Sequence, residues 1–431
     1  MSKKLRVFKF GGASVKDADN IRNVGSILKN EKGNPLIVVV SAMGKTTNAL
    51  ENVVKEFYQQ TGKASEKLQA IKAAHYDVCK ILFGEAHSIY DDLNDTFVEI
   101  EWALEEQPDA YDYVYDQIVS VGELLSTKIV AAYLNSIDLP THWLDARGIV
   151  KTDELYRTAS VQWDKTVENA QKQVNPFLKD GNFVLTQGFI GSTDDNNTTT
   201  LGREGSDYTA AIFSYCLDAE SMSIWKDVPG VLTADPRLFD HVTKIDRLSY
   251  REAIEMTYYG AKVIHPKTIQ PIQNKNIPLL VKSYANPAGE GTMISADVNA
   301  NYPPIIAVEK NQAMLNIATR DFSFVAEHHM SYLFSQIAEK RLQVNMMQNT
   351  AISFDICVHD IDDRLKDFVE EVGQKFDVTI EKGLELLTIR HYQKQLIESL
   401  KQGKIIKMEH RIRQTVQLVV KDVPMMVRKN N

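Results

Sequence analysis

The chain has 431 residues, 44% of them hydrophobic and 25% charged, with a formal net charge of −8. That length exceeds what one compact core holds, so two or three domains are expected. The acidic balance argues against a nucleic-acid surface, and no segment approaches the ~18 consecutive apolar residues of a membrane span. Cys79, Cys216 and Cys357 are far apart in apolar-patterned segments and read as reduced core residues. The N-terminus enters an apolar strand without a secretory pattern, so a cytoplasmic location is expected.

The first strand is expected over Arg6 to Phe10, broken by Gly11-Gly12 before a helix opening at Asp17 or Ala18. Leu36 to Val40 is a continuous apolar run of the kind a buried parallel strand shows, ending in the turn Ser41-Ala42-Met43-Gly44. Helical spacing fills Thr46 to Glu106, and again Tyr111 to Leu134 with a break near Val121-Gly122. Strands recur at Thr141 to Leu144, Phe183 to Gln187, Ser221 to Trp225 and Leu279 to Ser283. This alternation predicts an α/β sheet with ligands at the carboxyl ends of its strands.

Loop chemistry from Ala285 to Thr292 and at Asn301-Tyr302-Pro303-Pro304 marks a boundary, dividing the chain into residues 1–300 and 304–431. Beyond it the pattern predicts strands at Ile305 to Glu309, Met314 to Thr319, Val344 to Gln348, Ile352 to Val358 and Val378 to Lys382. Helices are expected around Met330 to Lys340 and Asp360 to Phe376. A second partial copy follows: Leu384 to Arg390, a helix near Gln393 to Leu400, then Ile405 to Arg411 and Gln414 to Val420. Two copies of a strand-helix-strand-strand pattern make an internal repeat, with the second expected to be truncated.

Three polar segments carry chemistry. Lys9-Phe10-Gly11-Gly12 puts a lysine on a strand and two glycines after it, where backbone amides can approach phosphate oxygens. Thr198 to Ala211 crowds hydroxyls, glycines, Arg203 and Asp207 into a loop leading into a helix whose N-terminus can bind anions. Gly260 to Pro266 places Lys262 near a helix end, where it could meet nucleotide phosphates, and His265 reads as a structural histidine. Gly44-Lys45-Thr46 is not the end of a Walker loop, because Val39 occupies the position of the required glycine.

Taken together, with Ser120-Val121-Gly122-Glu123 and the run from Trp225 to Arg237, these motifs resemble the aspartokinase family over nearly the whole chain. The resemblance implies an amino-acid kinase fold, a largely parallel central sheet flanked by helices, followed by paired ACT-like ferredoxin-type repeats of α+β structure that support a homodimer. It also implies transfer of phosphate from MgATP to the β-carboxylate of L-aspartate, the first step towards lysine, threonine and methionine. Lys9 would stabilise the transferred phosphoryl group beside the amides of Gly11 and Gly12, with Asp207 orienting it. Ser41, Thr47 and Ser206 would line the substrate site, Glu123 would meet the ammonium of aspartate and Arg203 its α-carboxylate. Trp225, Asp227, Asp235, Arg237 and Lys262 resemble the nucleotide-binding set.

Because the substrate carboxylate is already ionised, no general base is required and no protein metal ligand is nominated. The chain departs from the family pattern at Ala13, at Glu204 where a glycine is common, and at Leu232. The first repeat, Arg320 to Met330, lacks the glycine that usually lets an effector dock, so weak or absent lysine inhibition is expected. The competing readings are an acetylglutamate or uridylate kinase and a catalytically silent amino-acid sensor.

Overall fold

In the computed structural model the described residues are 4–105, 107, 110–179, 182–261, 264–296, 301–321, 323–360 and 363–422. They form two compact units. The first comprises Met1–Val231, Lys244–Ile254 and Val263–Ala300, and the second comprises Leu232–Thr243, Glu255–Lys262 and Asn301–Asn431. Two segments expected in the first part thus group with the second. Ile306 N–H donates to the Thr233 carbonyl at 2.8 Å, and Arg390 pairs with Glu255 at 3.0 Å.

The first unit is built on β1 (Arg6–Phe10), α1 (Ala18–Lys29), β2 (Leu36–Val40), α2 (Thr46–Tyr58), α3 (Ala64–Phe83), α4 (Ile89–Glu105), α5 (Tyr111–Val119), α6 (Val121–Ser136) and β3 (Thr141–Leu144). It continues through α7 (Trp163–Lys179), β4 (Phe183–Gln187), β5 (Ile190–Ser192), β6 (Thr198–Thr200), α8 (Gly205–Cys216), β7 (Ser221–Lys226), β8 (Arg247–Ser249), the start of α9 (Tyr250–Tyr258, grouped with the second unit from Glu255 on), α10 (Pro266–Asn274), β9 (Leu279–Ser283) and β10 (Thr292–Ser295). An eight-stranded sheet runs β3-β4-β2-β1-β7-β9-β10-β8. It is parallel except where β10 meets β9. All five residues of β2 are buried, as its uninterrupted Leu-Ile-Val-Val-Val requires of a strand covered on both faces. Asp17 caps α1 by accepting the Asn20 N–H at 2.9 Å.

The run Tyr111–Ser136 is long and apolar enough to cross a bilayer, but 78% of its most apolar window is buried inside the fold, as in the core helix of a soluble protein. Its break falls at Ser120, one residue before the expected one. All three cysteines are buried and free, and burial pushes each thiol up to about 12. Three elements differ from expectation. Thr198–Thr200 is a strand paired with Ile190–Ser192 and not a loop, and β10 adds a short strand beside β9, with β8 beyond it. Each is only three or four residues long, too short for periodicity to reveal.

The second unit holds β11 (Ile305–Thr319), α11 (Glu327–Glu339), β12 (Val344–Asn349), β13 (Ser353–His359), α12 (Arg364–Val372), β14 (Phe376–Arg390), α13 (Lys394–Lys401), β15 (Lys404–Ile412) and β16 (Thr415–Asp422). Its antiparallel sheet runs β12-β13-β11-β14-β16-β15. The strands expected at 305–309 and 314–319 are one strand, as are those at 378–382 and 384–390. Each pair is joined through a left-handed residue, Asn311 (φ 57°) or Gly383 (φ 72°), where the β11–β14 register shifts. Helix α12 is shorter than the expected 360–376; Ile361 and Asp362 lie outside the described residues.

Candidate active site

The polar motifs collect at the carboxyl ends of β1, β2, β4 and β7. Register sets this directly: Lys9 lies opposite Val39 on one side and Ile224 on the other, and Val40 lies opposite Gln187. The turn after β1 interlocks with the turn after β2. Gly44 N–H donates to the Gly12 carbonyl at 3.0 Å, and a Cβ on Gly12 would come within 2.6 Å of the Ala42 carbonyl oxygen. Only glycine fits there. A Cβ on Gly188, just past β4, would lie 2.4 Å from the Cβ of Ser206, so the missing side chain is what admits the first turn of α8.

That turn carries Asp207, 3% exposed. Its carboxylate lies 2.6 Å from Lys9 Nζ and 3.8 Å from Lys226 Nζ. Burial pushes the carboxyl up, but the two ammonium groups outweigh it and hold it below the usual range. Two ammonium groups thus share the Asp207 carboxylate, and Lys9 Nζ lies beside Gly11, whose missing Cβ would sit 3.4 Å from it.

Glu123 enters from the first turn of α6 and is 3% exposed. Burial pushes its carboxyl up to about 8, against the opposing pull of the Ala42 N–H and Lys9. Its Oε2 has no hydrogen-bond partner. A buried acceptor without a donor is costly, and an ammonium group is the donor that would satisfy both its charge and its lone pairs. Ser126, one turn along, donates to the Ser41 carbonyl at 2.8 Å and fastens α6 to the turn after β2. Ser41 and Thr47 are half-buried there.

Arg203 is exposed on the loop between β6 and α8. Glu204, next to it, is left-handed (φ 54°), which accounts for the glycine common at this position in the family pattern. Its carboxylate accepts the His265 N–H at 2.9 Å. His265 caps α10 by accepting the Lys267 N–H, a structural role.

The amino acid kinase family is matched over residues 4–283. Over 363 residues the chain is 32% identical to lysine-sensitive aspartokinase 3 of Escherichia coli, covering 81% of this chain and 77% of that protein. The chain belongs to the aspartokinases. A chloroplastic aspartokinase 1 of Arabidopsis thaliana is 30% identical over 89% of this chain and 70% of its own length. The structure of E. coli aspartokinase III with aspartate and ADP superimposes with a TM-score of 0.82 at 28% identity, covering 97% of this chain and 96% of that one. Bifunctional aspartokinase/homoserine dehydrogenases are also similar, and the chain spans 42% of their length.

Among the residues expected to bind nucleotide in this aspartokinase, geometry separates three groups. Gly11, Gly12 and Asp227 lie at the strand ends, Asp227 exposed. The Trp225 indole is a core side chain, 4% exposed, stacked on Phe10 at 5.8 Å and edge-on to Phe8; an apolar strand-end residue could not be told from a ligand platform by sequence. Asp235 and Arg237 form a bidentate pair with each other within the second unit. Lys262 lies outside the described residues. Sequence reasoning missed Lys226, the second cation at Asp207, although it stands in the same Trp225-Lys226-Asp227 run.

Proposed function

We propose that this aspartokinase transfers the γ-phosphoryl group of MgATP to the β-carboxylate of L-aspartate, giving 4-phospho-L-aspartate. The single observation that carries the reading is the buried, half-unpartnered carboxylate of Glu123 beside the Lys9–Asp207–Lys226 cluster. One end of the site suits an ammonium group, and the other suits a transferring phosphoryl group.

In the mechanism the substrate carboxylate is the nucleophile and attacks the γ-phosphorus; the bond to the β,γ-bridging oxygen breaks and ADP leaves. No covalent enzyme intermediate is needed. Lys9, held in place by Asp207, faces the negative charge that spreads over the phosphoryl oxygens, and the backbone beside Gly11 and Gly12 admits them closely. Glu123 takes the α-ammonium, Arg203 forks onto the α-carboxylate, and Ser41, Thr47 and Ser206 offer hydroxyls. Mg²⁺ would arrive on the nucleotide phosphates as part of the substrate.

The same reading puts the reaction at the head of lysine, threonine and methionine formation, in the cytoplasm, with the second unit as the dimerising part. Aspartate-dependent ADP release from MgATP, followed in a coupled assay, tests it. Equal ADP release without aspartate would contradict it.

A further inference from the structure

Asp116, on α5, is wholly buried, and the chemistry above gives it no task. Its Oδ2 accepts the N–H of Thr200 at 2.8 Å and that of Arg157 at 2.9 Å. Its Oδ1 accepts the Thr200 hydroxyl at 2.7 Å. The next side chain extends the grip: Gln117 donates to the Thr198 carbonyl at 2.9 Å and accepts the Thr198 N–H at 3.3 Å. Two successive residues of a helix therefore pair with alternate residues of β6, as a neighbouring strand would. Arg157 is held to α5 as well, its guanidinium 4.5 Å from the Tyr115 ring centre and 3.1 Å from Asp112.

The chain connectivity gives this clasp its consequence. Thr200 is the last residue of β6, and the loop that follows presents Arg203. Asp116 sits on the helix that continues through Ser120 into α6, whose first turn presents Glu123. One buried carboxylate thus ties the segment carrying Arg203 to the segment carrying Glu123. Burial pushes that carboxyl up to about 6, against the pull of the Arg157 and Thr200 hydrogen bonds, so it remains ionised at neutral pH.

We propose that Asp116 is a positioning residue for the amino-acid substrate, fixing the separation between the Arg203 loop and Glu123 so that both ends of the α-amino acid are gripped at once. The inference rests on the reading of Glu123 and Arg203 as the amino-acid contacts. It belongs to substrate geometry and not to phosphoryl transfer, so its loss should register in the KM for aspartate while kcat and the KM for ATP hold.

The test compares Asp116→Ala, Asp116→Asn and Gln117→Ala with the wild-type chain in the coupled assay, with thermal melting recorded for each. Asp116→Ala is expected to raise the KM for aspartate at least about tenfold, with kcat and the KM for ATP within about twofold. Asp116→Asn restores most of the loss, because its amide oxygen can accept both N–H groups and its NH₂ can donate to the Thr200 hydroxyl. Gln117→Ala, a half-buried site that leaves the core intact, gives a smaller rise in the same direction and decides the matter if Asp116→Ala does not fold. An unchanged aspartate KM in the folded variants, or equal rises for aspartate and ATP, would overturn the proposal while leaving the wild-type activity standing. A wild-type chain without aspartate-dependent turnover would remove the functional reading and this inference with it.

Discussion

Lys9 and Asp207 come from a strand and a helix far apart in the chain, yet their charged atoms lie 2.6 Å apart with side-chain exposures of only 11% and 4%. The pair makes Lys9 a preorganised cation, oriented before any phosphate arrives. Lys9→Ala should lower kcat about a hundred- to thousandfold with a smaller effect on aspartate affinity, because its contact strengthens in the transition state. The substitution also leaves Asp207 with Lys226 alone, and breaking a buried pair costs roughly 3–5 kcal/mol. Adding Asp207→Asn should recover melting temperature without recovering turnover, which separates the two effects.

With Glu123 as the proposed ammonium contact, aspartate binding should depend on pH. Burial raises its carboxyl to about 8, so the empty site carries a proton at neutral pH, whereas pairing with an ammonium needs the anion. Affinity for aspartate should therefore rise with pH up to about 8, and binding at neutral pH should release a proton. Titration calorimetry in buffers of different ionisation enthalpy measures that proton. For stability the sign is opposite: a carboxyl raised in the folded state favours folding when protonated, and that contribution falls as pH rises from the unfolded value of 4.5 through about 8. Glu123→Gln should thus raise the melting temperature more at pH 8 than at pH 6, while weakening aspartate binding severely.

At Glu204 two effects oppose each other. Glycine there would relieve roughly 1 kcal/mol of left-handed strain but would release the His265 N–H. Glu204→Gly should change stability by less than about 1 kcal/mol and raise the aspartate KM a few-fold by loosening the Arg203 loop. Glu204→Ala keeps the strain and loses the bond, so it should be the less stable of the two in urea denaturation.

The segment before α11 closes on itself: the Thr319 hydroxyl donates to the Ser323 carbonyl at 2.6 Å, and Ser323 N–H donates to Asp321 at 3.1 Å. With no glycine between Arg320 and Met330, lysine or threonine should bind only weakly, with Kd above roughly 1 mM. Calorimetric titration showing tight binding of either amino acid would contradict this.

The parallel sheet was legible because its strands are continuous apolar runs ending in glycine or hydroxyl turns; Lys9 stood out on such a strand and Arg203 and Asp207 in a glycine- and hydroxyl-rich loop before a helix, whereas Glu123 was named only through the family resemblance. Short strands such as Thr198–Thr200 were not legible: three threonines form a strand only because Ile190–Ser192 and the Asp116 and Gln117 side chains pair with them. Asp116 was hidden for the same reason, since two of its three hydrogen bonds come from backbone N–H groups that leave no mark in sequence. Long strands bent at Asn311 and Gly383 looked like two, because a left-handed residue is the same signal a turn gives.

The most direct measurement is trapping of the acyl phosphate with hydroxylamine, supplying MgATP with aspartate, glutamate, N-acetylglutamate or UMP in parallel. The account predicts hydroxamate with aspartate and not with the other carboxylic acids, and no ADP release with UMP. Hydroxamate from N-acetylglutamate, ADP release with UMP, or no turnover with any acceptor would contradict it.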